Sequence, residues 1–350
     1  MKQYKKWIAT FLSVFATAAL AVIALVVYVD PFFQYHKPLP DFPYLVDNQI
    51  NQNPGMARHM DYDSVLLGSS MTVNFNTSWF EELMGLDTLK LSYSGAFPKD
   101  QSNIMKIVFD GTHKIDAAFL GIDVITYTGG IEETKYPIPE YLYDDNPWND
   151  IGYVLNKDVL LQYILRPIAD PDKTDLDTMY ASWWTDEYYN KQWVMHNYAK
   201  PEKIEKEADA ESYVQNAEAN LTENICPFIE QNPDTEFYIF YPPYSILFWN
   251  DVLVENHLEA TLREYEYITK RLLQYENVRV FFFPNQEWII CNLDNYADYS
   301  HYHPDINRYM TECFASGECE VTEENLGEEL NKMRDIVAEY DFEELFSVEY

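Results

Sequence analysis

The chain has 350 residues, with 58 aspartate and glutamate against 24 lysine and arginine side chains, for a formal net charge of −34. A field of that sign opposes long-range attraction to nucleic acid and to anionic wall polymers, and leaves neutral glycans or cationic alanyl esters as better-matched ligands. No glycine-rich loop of the Walker or dinucleotide type occurs, which argues against nucleotide chemistry, and no cofactor is expected.

The N-terminus is read first. Lys2, Lys5 and Lys6 precede an uncharged apolar run from Trp7 or Ile8 to Val29, long enough to cross a bilayer as one helix. The lysines would stay on the cytoplasmic side. No small-residue cleavage site ends the run, where Tyr28-Val29-Asp30-Pro31 follows, so it reads as a retained signal anchor, with a cleaved signal peptide as the alternative. The expected division is a cytoplasmic tail and anchor over 1–30, a juxtamembrane segment over 31–60 and one extracytoplasmic domain over 61–350. Phe32, Phe33 and Tyr35 suit the headgroup zone, where aromatic rings are favoured.

Beyond the anchor, strand-like runs alternate with helical ones. Strands are expected at Ser64–Leu67, Thr88–Leu91, Ala117–Ile122, Glu236–Tyr241 and Val278–Phe283, and helices through Trp79–Met84, Asp209–Glu230, Val252–Tyr275 and Thr322–Tyr340, the last capped by Thr322. The alternation predicts an α/β domain with a central parallel sheet. Between about 127 and 200 it lapses into a stretch rich in Tyr, Trp, Asp, Asn and Pro, including Trp183-Trp184-Thr185-Asp186. Segments of this kind inside a domain are usually functional. Its aromatic faces would stack on sugar rings, or would pack the insertion onto the sheet.

Two short motifs carry the chemistry. Gly68-Ser69-Ser70 follows the first expected strand, so its serines either activate as a nucleophile on a strand-to-helix turn or cap the helix that follows. Near the other end, Asp298 and His301 are spaced so that one turn or a tight loop sets them side by side, and the carboxylate would hold the imidazole tautomer. His303 competes, but Pro304 pushes it towards extended backbone, which favours His301.

Gly68-Ser69-Ser70 early and Asp-x-x-His late resemble the SGNH/GDSL hydrolase superfamily. The closest likeness is to its membrane-anchored, extracytoplasmic bacterial members, such as polysaccharide O-acetyltransferase-like and teichoic-acid D-alanylation proteins. The resemblance implies a flavodoxin-like three-layer α/β/α sandwich with about five strands. It also implies Ser70 as nucleophile, His301 as base and Asp298 as the orienting acid. It further places Gly95 and the Ser70 backbone N–H at the oxyanion. Asn74, one helical turn after Ser70, is a substitute donor or, as the residue type favours, an exposed helix asparagine. Gly121-Ile122-Asp123 falls where the family has Gly-x-Asn, and a charged Asp123 there would repel an oxyanion unless protonated or turned away.

Tyr241-Pro242-Pro243-Tyr244-Ser245 should form a rigid turn at the same sheet edge, with Tyr244 and Asp123 as substrate-contacting candidates, or should only redirect the chain into a helix. Cys226, Cys291, Cys313 and Cys319 contain no metal-type pair; Cys313 and Cys319 would close a small disulfide loop or stay as free thiols. A metal held by His301, His303, Asp298 or Asp305 has little support. The expected function is a single-pass, cell-membrane esterase or O-acyltransferase acting on an envelope glycan or acylated polymer. The alternative is a catalytically weak scaffold that binds an envelope component or partner protein.

Overall fold

The computed structural model describes residues 2–347 except 112, 172–173 and 182–183, so Trp183 lies outside the described residues. The chain divides into two compact units, one of residues 1–60 with 137–179 and the other of 61–136 with 180–350. This division differs from the expected one. The middle of the aromatic insertion groups with the N-terminal segment, whereas its two flanks remain with the sheet.

In the first unit the helix Lys2–Val29 is long and apolar enough to span a membrane over Gln3–Val29. Asp30 ends it with a left-handed backbone, φ 49°. Its buried carboxyl accepts the backbone N–H groups of Gln34, Tyr35 and His36 and the Tyr153 hydroxyl. Burial raises its pKa against those bonds, which lower it. The turn folds the chain back onto the helix Gln49–His59. Gly55 there is required, because a Cβ would sit 2.0 Å from the Phe32 carbonyl oxygen. Phe32 and Phe33 are consequently buried, Phe32 stacking on Tyr153 at 5.1 Å, and Tyr35 donates its hydroxyl to Asp150. The expectation that these rings sit among headgroups is corrected: the Asp30 turn draws them inward.

The second unit is built on a six-stranded sheet. Its strands are β1 (Ser64–Leu67), β2 (Thr88–Lys90), β3 (Ala117–Gly121), β4 (Glu236–Tyr241), β5 (Val278–Phe282) and β6 (Glu320–Val321), in the order β2-β1-β3-β4-β5-β6. The first five run parallel, with Ser64 opposite both Thr88 and Ala117, and Ala117 opposite Glu236. The α/β expectation with a mostly parallel sheet therefore holds, and β6, pairing antiparallel to β5, is an addition. Two residues with one apolar member give no readable strand period, which is why sequence reasoning passes over it.

Apolar, β-branched and aromatic side chains bury β1 and β3 completely, as parallel strands covered on both faces require. Phe314, on the helix Pro304–Ser316, is fully buried and meets Phe75, Phe119, Phe240, Phe281 and Phe283 at ring-centroid distances of 5.1 to 6.3 Å. Burying a side chain of this size stabilises by about 1.5–3 kcal/mol and fixes the helix that follows His303 against the sheet.

Three expected helices are shorter or broken. Asp209–Glu230 resolves into Ala210–Asn220, a wider π turn over Leu221–Ile225, and Cys226–Gln231 with Pro227 in its first turn. Val252–Tyr275 becomes Ile246–Val254 and Leu258–Leu272, separated at Asn256, whose φ of 60° is one that asparagine tolerates. The closing helix runs Leu326–Glu339, with Thr322 in the turn before it and not as its cap. Cys226, Cys291, Cys313 and Cys319 are all free, with Cys313 Sγ 4.0 Å from Cys319 Sγ.

Candidate active site

Parallel strands send their carboxyl ends to one edge of the sheet, and the winding direction reverses between β1 and β3. In open parallel sheets such a reversal is where ligands bind, beyond the carboxyl ends of the strands. Ser70 follows β1, Asp123 follows β3 and Tyr244 follows β4, so each reaches this edge.

Gly68 leaves β1 with φ 152°, and a Cβ would stand 2.4 Å from Thr72 Cγ2. Its carbonyl accepts the Tyr93 N–H at 2.9 Å. Ser70–Thr72 then forms a single 3₁₀ turn, and the α-helix begins only at Thr77. The expectation that the serines begin or cap that helix is therefore corrected; Ser69 instead caps the short turn, its Oγ accepting the Met71 N–H at 3.2 Å. The turn is held from several sides. Thr72 Oγ1 donates to the Ser69 carbonyl at 2.8 Å, and Tyr302 Oη and Asn307 Nδ2 donate to the Met71 carbonyl at 2.8 and 3.3 Å. Fully buried Lys90 reaches from β2 to the Val73 and Phe75 carbonyls at 2.9 and 2.8 Å.

Against this turn stands the loop 296–302, closed by the Tyr296–Tyr302 bridge and by Ala297 N–H donating to the His301 carbonyl at 2.9 Å. Tyr296 Oη donates to the Pro243 carbonyl at 2.7 Å, and Ser245 Oγ to the Tyr299 carbonyl at 2.5 Å, tying the loop to the turn after β4. Within it, Asp298 Oδ1 accepts the backbone N–H groups of Ser300 and His301 at 2.8 and 2.7 Å, while Oδ2 lies 2.7 Å from His301 Nδ1. His301 Nε2 is 2.8 Å from Ser70 Oγ. Burial alone would raise the Asp298 pKa, but the His301 ring and the two backbone donors outweigh it and hold it below the usual carboxylate value. An ionised Asp298 accepts the proton on Nδ1, which leaves the Nε2 lone pair facing the serine hydroxyl.

His303 takes another part. Its Nδ1 accepts the Asp305 N–H at 3.2 Å and so caps the helix Pro304–Ser316, while its Nε2 lies 3.7 Å from Asp186. Among the described residues no group of three or more His, Cys, Asp and Glu side chains is placed to hold a metal ion.

The other predicted residues are distributed as follows. Gly95 has φ 74° and belongs to the turn after Tyr93, the residue bonded to the Gly68 carbonyl. Asn74 is neither helical nor exposed as expected; it is buried in the bend between the 3₁₀ turn and Thr77. Asp123 is 4 % exposed, with Oδ1 accepting the Tyr244 hydroxyl and a further hydrogen bond to the Ser69 side chain. Burial raises its pKa, opposed by those two bonds and by His301. Burial also pushes the Tyr244 hydroxyl far up, so it stays a donor, and its ring stacks on Phe248 at 4.4 Å.

Three residues at this edge escaped sequence reasoning. Lys90, Tyr302 and Asn307 all hold the Ser70 turn, and only Lys90 gave a signal: a lysine inside an otherwise apolar strand run. Searches against protein-family models, curated proteins and solved structures find no match for this chain.

Proposed function

We propose that the chain is a membrane-anchored acyl-ester hydrolase or O-acyltransferase of SGNH type that acts outside the membrane on an envelope glycan or acylated polymer. The observation that carries this reading is the continuous relay from Asp298 through His301 to Ser70, with 2.7 and 2.8 Å between the reacting groups. The strand order β2-β1-β3-β4-β5 is that of doubly wound flavodoxin-like sheets and supports a three-layer sandwich. Lys2, Lys5 and Lys6 before the apolar helix support a cytoplasmic N-terminus and a retained anchor.

In the first half-reaction Ser70 Oγ attacks the ester carbonyl carbon while its proton passes to His301 Nε2, forming a tetrahedral oxyanion. The imidazolium is stabilised by Asp298 and then gives the proton to the departing alkoxide, so the ester C–O bond breaks and an acyl-Ser70 remains. In the second, water or a sugar hydroxyl attacks the acyl carbon, loses its proton to Nε2, and Ser70 leaves as the restored hydroxyl. The backbone N–H groups of Ser70 and Gly95 serve the oxyanion. Asp123 serves as a neutral acid, which its burial favours.

A fluorophosphonate probe tests the reading on the full chain in detergent. One adduct is expected at Ser70, lost in Ser70→Ala and in His301→Ala; folded protein without an adduct overturns it. A second reading, a binding scaffold with residual chemistry, is favoured by the single observation that a carboxyl occupies the Asp123 position. Glycan binding that persists in Ser70→Ala, together with no ester turnover by the parent chain, supports that reading.

A further inference from the structure

Trp184 lies beside the relay. Its ring centroid is 4.8 Å from that of the His301 imidazole, with the planes tilted by 43°. The segment that carries it is fixed to the catalytic edge at several points. Asp186 lies 3.7 Å from His303, the Tyr189 ring meets His303 edge-on at 4.7 Å, and the Lys191 N–H donates to Asp294 at 2.8 Å. Ser70, His301 and Trp184 are each partly exposed, and the carboxylates of Asp186 and Glu187 stand in solvent two and three positions further on.

We propose that Trp184 is the platform on which a neutral pyranose stacks, presenting a sugar hydroxyl to His301 Nε2 as acyl acceptor, or the ester oxygen of an acylated sugar as leaving group. The inference rests on the reading of Ser70 and His301 as an acyl-transfer pair. An indole face is apolar and electron-rich and suits the C–H face of a sugar ring, while flanking carboxylates accept hydrogen bonds from its hydroxyls. The net charge of −34 selects against an anionic polymer in the same place. Stacking beside the base turns the sugar hydroxyl from one nucleophile among many waters into a positioned one, which is how transfer competes with hydrolysis.

The test uses the full chain carrying Ser70→Ala, in a zwitterionic detergent without sugar head groups. Uncharged hexasaccharides of glucose and of N-acetylglucosamine are titrated in and the heat of binding is recorded. At least one should bind. Adding Trp184→Ala should weaken binding about tenfold, Trp184→Tyr should weaken it only about threefold, and Trp148→Ala, at a ring 91 % exposed in the other unit, should leave it unchanged. The proposal is overturned if neither sugar binds, or if Trp184→Ala binds as tightly as its parent. It is also overturned if, in a chain with Ser70 intact, Trp184→Ala slows long-chain aryl esters more than acetyl esters, which would put the ring on the acyl side. Labelling of Ser70 in the parent chain reads the catalytic pair independently, so the two failures are distinguishable.

Discussion

Asp123 carries the sharpest consequence at the scale of a residue. A carboxylate beside a developing oxyanion is repulsive, whereas a carboxylic acid donates a hydrogen bond, and burial shifts this group towards the acid. The acid form is lost as pH rises through the raised pKa, so the rate of Ser70 phosphonylation should fall on the alkaline side. Asp123→Asn supplies an N–H at every pH. It should keep the rate near that of the parent and remove the alkaline fall, whereas Asp123→Ala should cost about 10²- to 10³-fold. An Asn variant as slow as the Ala variant, or with an unaltered pH profile, would remove Asp123 from the oxyanion site.

Glu264 is another buried acid in the sheet unit, on the helix Leu258–Leu272, with neither carboxyl oxygen hydrogen-bonded. Burial pushes its pKa from 4.5 up to about 9. The folded state therefore keeps a proton that the unfolded state has released. The resulting stability is complete below the unfolded value and is lost progressively as pH rises towards about 9. Thermal unfolding of Glu264→Gln should be less sensitive to pH over that window, the parent losing up to about 1.4 kcal/mol per pH unit relative to the variant. Parallel stability curves would count against this assignment. Sequence alone left Glu264 looking like an ordinary member of a strongly acidic chain, because burial is a property of the assembled sheet.

At the scale of elements, the link between β1 and the 3₁₀ turn is the most sensitive. Gly68→Ala adds a methyl group where Thr72 Cγ2 already stands, at a backbone angle that L-residues disfavour. The variant should lose about 1–3 kcal/mol of stability, read from its melting temperature, and should label at Ser70 far more slowly even where it remains folded. Equal labelling rates would show that the turn absorbs the methyl group without moving the hydroxyl. The five long strands were legible because short apolar runs bounded by polar residues have few other uses. The helices were read too long because apolar spacing continues across the π turn at Leu221–Ile225 and across Asn256, and spacing does not report where the backbone departs from the helix.

For the whole molecule, the N-terminal helix and the strong negative charge act together. A 27-residue apolar span should hold the chain in membranes through alkaline carbonate and high salt, with release only by detergent; release by carbonate would mean that the helix does not span. The net negative charge, for its part, should keep the protein off polyanions at low ionic strength, with the repulsion weakening as salt screens it; retention on a polyanion column in low salt would count against this.

Length and uncharged character determined, from sequence alone, an N-terminal helix long and apolar enough to cross a membrane. Alternating runs likewise determined an α/β domain, and residue type with local spacing determined the Asp298–His301 pair. These are local properties, settled within a few residues of chain. That Ser70 Oγ lies 2.8 Å from a nitrogen 231 residues away was decided only by the parallel register of the strands and the buried bonds around Met71, Pro243 and Tyr299. The same assembly buried Asp123 between Ser69 and Tyr244, laid Trp184 against His301, and divided the aromatic insertion between two units. No local preference encodes such distances, because each depends on where a distant strand or loop ends once the sheet has closed its core.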